Sequence, residues 1–185
     1  MDAAVDEMVR ALAPHQDARD WSGPAGSLEW DCRSTAVHIG HDLLAYAGQV
    51  AARPADGYLP FDLTVRPDAA VADVLRTAAA CGRLLAAALR TAPAGARAWH
   101  WGPCDAAGFA AMGVAEVLLH THDITQGLAV PWDPPADLAA KALARLFPDA
   151  PPGPPPQVLL WCTGRATLPD HPRRTTWTWQ AALPD

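Results

Sequence analysis

The chain has 185 residues, of which half are hydrophobic and 18% are charged, a composition that fits one globular domain and excludes a disordered chain. The net charge of −6 argues against a nucleic acid or an anionic membrane surface as partner. No apolar run approaches the roughly 18 residues needed to cross a bilayer. The N-terminus lacks the basic and apolar regions of a signal peptide, so we expect a cytoplasmic protein.

Hydrophobic residues at helical spacing predict four main helices and a short fifth one. Asp31 is a suitable N-cap for the second helix, and Arg53-Pro54 is expected to end it. The aromatic segment 99–103 is expected to be a loop. Long helices joined by loops predict an all-α fold, an antiparallel four-helix bundle with an extra short helix, over residues 1–147. The predicted helices cover residues 2–13, 31–52, 67–90, 105–126 and 136–147.

The C-terminal part of the chain has a different composition. Residues 148–156, PDAPPGPPP, are rich in proline and predict a stiff linker. Beyond it, residues 157–165 are apolar and residues 175–181 alternate like a strand. Two short pieces do not form a sheet with its own core. We therefore expect residues 157–185 to form a small extension that packs on the bundle.

The predicted fourth helix carries two good metal ligands on one face. Glu116 and His120 are four residues apart, which places them one helical turn from each other. His122 is expected to point away from this face. In the second helix, His38 lies in an apolar stretch and offers a third ligand. Three protein ligands leave one position open, which is the arrangement of catalytic zinc sites.

Each of these residues also has a purely structural interpretation. Glu116 and His120 can form a simple hydrogen-bonded pair, and His38 can be a satisfied core histidine. Asp123 is either a hydrogen-bond acceptor for a ligand imidazole or an acid on the helix surface. Three further residues are candidates for a substrate pocket, although they also fit packing or surface roles: Trp99, Trp101 and His41.

Other catalytic patterns are not found in the sequence. It contains no GxSxG, P-loop, GxGxxG or HExxH motif. The four cysteines show no CxxC spacing and are expected to be buried small hydrophobes. The candidate metal ligands are therefore the only chemistry that the sequence offers.

Three segments resemble the DinB-like metalloenzyme superfamily, and more closely the N-terminal domain of mycothiol-dependent maleylpyruvate isomerases. Residues 30–38 are similar to the family's W…R……H entry into the second helix, and residues 116–123 are similar to its ExxxHxWD motif. Residues 161–179 resemble a tail of short family members. The resemblance implies that His38, Glu116 and His120 bind zinc and that mycothiol is a co-substrate.

Two departures from the family pattern affect the expected substrate. His122 stands where the family usually has tryptophan, which implies a different pocket wall or helix packing. The sequence also ends without the C-terminal domain of the full-length isomerases, which counts against maleylpyruvate as substrate.

Three functions are compatible with these features. The favoured one is a metal-dependent thiol S-transferase or isomerase that acts on a small electrophile through a metal-activated thiolate. The alternatives are a thiol-independent metal hydrolase or lyase, and a non-catalytic bundle that binds a small molecule. The metal is expected to be zinc, although nickel, iron or manganese would fit the same ligands. A monomer and a homodimer are both expected possibilities.

Overall fold

Helices make up most of the structure, with one small antiparallel sheet. The fold is taken from a computed structural model, which describes residues 1–183. The last two residues of the predicted extension, 184 and 185, lie outside the described part. The elements are α1 (Asp2–Leu12), a 3-10 helix (Ala13–His15), α2 (Cys32–Ala52), α3 (Val71–Thr91), β1 (Arg97–Trp99), β2 (Pro103–Asp105), α4 (Ala106–Gly127), α5 (Ala136–Leu146) and α6 (Pro155–Cys162).

Aspartate caps explain why two of the long helices begin where the sequence predicts. The Asp31 side chain accepts a hydrogen bond of 2.5 Å from the Ser34 amide at the start of α2. Asp105 accepts one of 2.8 Å from the Gly108 amide at the start of α4. After α2, Arg53 adopts a left-handed backbone conformation with φ 56°, which ends the helix.

Helix α3 begins later than the predicted residue 67. One guanidinium nitrogen of Arg33 donates hydrogen bonds to the backbone carbonyls of Arg66, Pro67 and Ala69. These contacts hold the segment in a turn, so the first helical residue is Val71.

The aromatic loop predicted at 99–103 is the tip of a β-hairpin. Strands β1 and β2 pair antiparallel, with Ala98 opposite Cys104. The turn between them contains Trp101, whose φ of 55° is unusual for a residue other than glycine. This short hairpin leads directly into α4.

The strand predicted for residues 175–181 is wrong, and the apolar segment before it is helical. Two prolines in the first turn start α6, a position that suits proline because its missing amide has no helical partner there. Residues 175–181 have no regular secondary structure. Instead of a strand partner, they have specific contacts with α5: the Gln180 amide donates to the Leu146 carbonyl, and Arg145 donates to the carbonyls of Gln180 and Ala181.

Helix α4 occupies the centre of the packing. Most of its residues are buried, which accords with its apolar character on every face. Helices α1, α2 and α5 pack against it, α3 packs on α1 and α2, and α6 packs on α5. Glu116 and His120 therefore project from the most enclosed helix of the molecule.

Two further observations concern the described residues as a whole. Cys32, Cys81, Cys104 and Cys162 are buried and unpaired, as expected. No helix within residues 1–183 combines the length and the hydrophobicity needed to cross a membrane.

Candidate metal centre

The structure brings His38, Glu116 and His120 together between α2 and α4. One potential ligand atom from each residue lies within 4.8 Å of the other two. Nε2 of His120 is 3.3 Å from Oε2 of Glu116, and the rings of His38 and His120 have their centres 4.9 Å apart. The side chains of Glu116 and His120 are 9% and 10% exposed, whereas that of His38 is 28% exposed. The cluster is therefore enclosed on the α4 side and accessible beside His38.

Each of the three residues is held by a second side chain. The Tyr46 hydroxyl donates a hydrogen bond of 3.0 Å to Oε1 of Glu116. Nε2 of His38 is 3.1 Å from Oδ2 of Asp42. Nδ1 of His120 is 3.1 Å from Oδ2 of Asp123, so Asp123 is a buried hydrogen-bond partner of the His120 imidazole and not a surface acid. Such partners fix the orientation of metal ligands in proteins.

The sequence reasoning missed Asp42 and Tyr46, and a signal for both was present. They follow His38 at intervals of four residues along α2. This spacing places all three side chains on one face of the helix.

The electrostatics of the cluster favour charged side chains in spite of burial. Burial opposes ionisation of Glu116, but hydrogen bonds with His120 and Tyr46 hold the pKa of its carboxyl below the usual value. Burial likewise opposes the charged form of His120, yet hydrogen bonds with Asp123 and Glu116 raise the pKa of its imidazole to about 9. Burial raises the pKa of the Tyr46 phenol well above its usual range, which keeps Tyr46 a hydrogen-bond donor.

The donor set fits a divalent metal ion. Two imidazoles and one carboxylate are the ligands of many catalytic zinc sites. Oε1 of Glu116 is satisfied by Tyr46, so Oε2 is the oxygen that faces His120. A cation between these groups would also balance the negative charge that Glu116 brings into the interior.

The cluster lies at the wall of an open cleft with a volume of about 750 Å³. The rest of the cleft comes mainly from the loop before α2 and from the chain after α6. Its large side chains are three tryptophans and three arginines: Trp30, Trp177, Trp179, Arg165, Arg173 and Arg174.

Two of these arginines are free of carboxylate partners within residues 1–183. Arg173 donates to the Gly164 carbonyl and to the Ser27 hydroxyl. The Arg174 guanidinium lies 5.2 Å from the centre of the Trp161 ring. The cleft therefore presents positive charge next to the cluster, although the chain as a whole is negative.

The three predicted pocket residues lie outside the lining of this cleft. Trp99 packs against Tyr58, with ring centres 5.1 Å apart, and Trp101 is 80% exposed at the hairpin tip. His41 accepts a hydrogen bond of 3.1 Å from the Leu63 amide and borders a separate depression. The tryptophans of the cleft are Trp30 and the two tail residues whose alternation suggested a strand.

The cysteines show no activated thiol. Burial raises the pKa of the Cys32 thiol to about 11 and that of Cys104 to about 12. Both values disfavour the thiolate near neutral pH. His122, as expected, is not part of the cluster.

Comparison with known proteins identifies a family for the first two thirds of the chain. Searches of curated proteins and of solved structures gave no match to the chain. Residues 1–125 match the family described as "Mycothiol maleylpyruvate isomerase N-terminal domain". The matched region includes all three residues of the cluster as well as Asp123, and it covers more than half of the sequence. The chain therefore belongs to the mycothiol maleylpyruvate isomerase N-terminal domain family.

Proposed function

We propose that this protein is a metal-dependent thiol S-transferase or isomerase that uses mycothiol or a similar thiol and acts on a small electrophile. The observation that carries the proposal is the meeting of His38, Glu116 and His120 beside an open cleft, in a chain of this family. The proposal includes the antiparallel DinB-like arrangement of α1 to α4, which brings α2 and α4 together.

The proposed ligands are His38, Glu116 and His120, and zinc is the metal that suits them best. A divalent cation at this place would favour the thiolate over the thiol form of a bound thiol. The protein supplies the other requirements of the site. Glu116 provides negative charge, and Tyr46 and Asp123 keep two of the ligands in fixed orientations.

The cleft has room for a thiol and an electrophile side by side. Its volume of about 750 Å³ lies within the usual range for small-molecule sites. Trp30 and Trp177 offer apolar surface, while Arg173 and Arg174 offer positive charge to an anionic group. We therefore expect an electrophile that carries a carboxylate.

The proposed reaction forms one carbon–sulfur bond. The thiolate sulfur attacks an electrophilic carbon of the substrate, and the electron pair of the attacked double bond moves towards its electron-withdrawing group. A transferase protonates this adduct and releases it. An isomerase allows rotation about the former double bond and then expels the thiolate. This restores the double bond, and the thiolate becomes the free thiol again when it regains the proton that it lost.

The direct test is consumption of a carboxylate-bearing electrophile by protein loaded with zinc, with and without mycothiol. We expect turnover only when both zinc and thiol are present, and none in Glu116→Gln. Turnover with zinc but without thiol would instead identify a hydrolase or lyase that uses a metal-activated water. If the protein binds the electrophile tightly and neither zinc nor thiol produces turnover, the non-catalytic alternative is correct.

A further inference from the structure

A buried chain of hydrogen bonds connects the C-terminal segment with one proposed metal ligand. Arg165 donates from Nε to Oδ1 of Asp123 at 2.9 Å and from Nη2 to Oδ2 at 2.7 Å. Oδ2 of Asp123 is also 3.1 Å from Nδ1 of His120. The side chains of Arg165 and Asp123 are only 10% and 3% exposed. The three residues thus form a continuous polar path inside the protein.

This geometry determines which nitrogen of His120 is available to a metal. The Asp123 carboxylate, held on both oxygens by Arg165, acts as a hydrogen-bond acceptor. Nδ1 of His120 must therefore carry the hydrogen in their contact. A metal would then bind at Nε2, the atom that faces Glu116, in place of any proton there.

Arg165 also balances the charge of Asp123. A buried carboxylate without a cationic partner is strongly destabilising, and a two-point contact with a guanidinium fixes the plane of the carboxylate as well. Because that plane sets the direction of the hydrogen bond to His120, the position of Arg165 influences the direction of the imidazole.

The backbone around Arg165 is itself well defined. The Arg165 amide donates a hydrogen bond of 2.7 Å to the Leu160 carbonyl at the end of α6. Gly164 has φ 70°, and a Cβ there would lie 2.7 Å from the Arg174 carbonyl oxygen. Only glycine suits this turn, which delivers Arg165 to Asp123 from a part of the chain beyond the family match at 1–125.

We propose that Arg165 is a positioning residue of the metal centre, which acts through Asp123 to hold the tautomer and direction of His120. This inference rests on the proposed function, since it takes His120 as a metal ligand. The segment after α6 then belongs to the metal centre itself, in addition to forming a wall of the cleft.

The test is a titration of the metal-free protein with Co²⁺, followed by its visible absorption. We expect Arg165→Met to weaken binding about 10- to 100-fold, the usual effect of removing a partner of a metal ligand. We also expect it to alter the absorption of the bound ion. In an Asp123→Asn background the same substitution should change the affinity less than about twofold, because its effect passes through Asp123.

Two further variants separate positioning from folding. Arg165→Lys retains the buried charge, so it should fold. Because a lysine amine cannot contact both oxygens of Asp123 as a guanidinium does, this variant should bind Co²⁺ several-fold more weakly than the parent. Arg145→Met removes another arginine that holds the tail, through the carbonyls of Gln180 and Ala181. It should lower thermal stability and leave Co²⁺ affinity and absorption unchanged.

The possible failures are distinguishable. If the parent binds no Co²⁺, the proposed function is wrong and this inference falls with it. If the parent binds Co²⁺ and both Arg165 variants bind it with parental affinity and absorption, the metal site stands and only the positioning role of Arg165 is overturned.

Discussion

At the scale of single residues, some of the proposed ligands and their hydrogen-bond partners can be predicted from the sequence and others cannot. Glu116 and His120 could be predicted together because one helical turn separates them. Asp42 and Tyr46 were equally visible in principle, at four-residue intervals from His38. Arg165 was not, because its contact with Asp123 bridges 42 residues and depends on the turn after α6.

The arginines of the cleft yield a prediction about substrate charge. Replacing Arg173 and Arg174 by glutamine should lower kcat/KM for a carboxylate-bearing electrophile at least about tenfold, since a hydrogen bond to a charged group contributes about 1.5–3 kcal/mol. The same double variant should process the neutral methyl ester at nearly the parental rate. The measurement is kcat/KM for thiol transfer to each of the two substrates. The matched control is Arg19→Gln, which removes the charge of an exposed arginine elsewhere in the chain. Equal losses on the two substrates would contradict a charge-selective role.

His100 yields a prediction about pH. It is 6% exposed, contacts the Tyr58 hydroxyl through Nδ1 and accepts a hydrogen bond of 3.4 Å from the Trp179 indole at Nε2. Burial lowers the pKa of His100 to about 4. The unfolded chain, with a pKa near 6.5, therefore takes up a proton first as the pH falls. The stability that neutral His100 contributes is complete above pH 6.5 and is lost on the way down to pH 4.

Between pH 7 and pH 5, protonation linked to this residue should lower the free energy of unfolding by about 2 kcal/mol, at about 1.4 kcal/mol per pKa unit. Urea unfolding of the parent and of His100→Gln at both pH values measures it. The parent should lose about 2 kcal/mol more than the variant. Equal losses in the two proteins would show that His100 is not held neutral by the fold.

At the scale of secondary structure elements, local chemistry decides how well the sequence predicts the fold. Helices α2 and α4 start as predicted because Asp31 and Asp105 cap them with their own side chains. The start of α3 depends on the distant Arg33, and the β-hairpin has no typical two-residue turn sequence. The alternation of residues 175–181 predicted a strand, but a strand also needs a partner, and the fold provides none for this segment within the described residues.

Close packing of α1 on α3 yields a prediction about a glycine. A Cβ at Gly82 of α3 would lie 2.4 Å from Cγ2 of Val5 in α1. Alanine favours helix formation by about 1 kcal/mol over glycine, but overpacking costs about 1–3 kcal/mol. Because a contact of 2.4 Å is far too short, the overpacking cost should fall in the upper part of that range. We therefore expect Gly82→Ala to lower the free energy of unfolding by roughly 1–2 kcal/mol, measured by urea denaturation.

Removal of the clashing methyl groups provides the control. In a Val5→Ala background, Gly82→Ala should be neutral or stabilising, since the space is then open and only the helix preference remains. A Gly82→Ala variant as stable as the parent would mean that the two helices are not in such close contact.

At the scale of the whole molecule, the proposed site combines a family region with a segment outside it. Residues 1–125 contain the three candidate ligands, whereas the cleft walls Arg173 and Trp177 come from the chain after α6. The sequence predicted that this extension packs on the helices, but not that it faces the candidate ligands. The position of this extension opposite the candidate ligands depends on the complete fold. The periodicity of hydrophobic residues along the chain does not predict it.

The central claim is that His38, Glu116 and His120 bind a divalent metal. The most direct measurement is elemental analysis of protein purified without a metal-affinity tag, followed by titration with zinc. About one divalent ion per chain should accompany the parent and the His15→Ala control, and neither His38→Ala nor His120→Ala should retain it. A parent that carries no metal and takes up no zinc, or ligand variants that bind zinc as well as the parent, would contradict the claim.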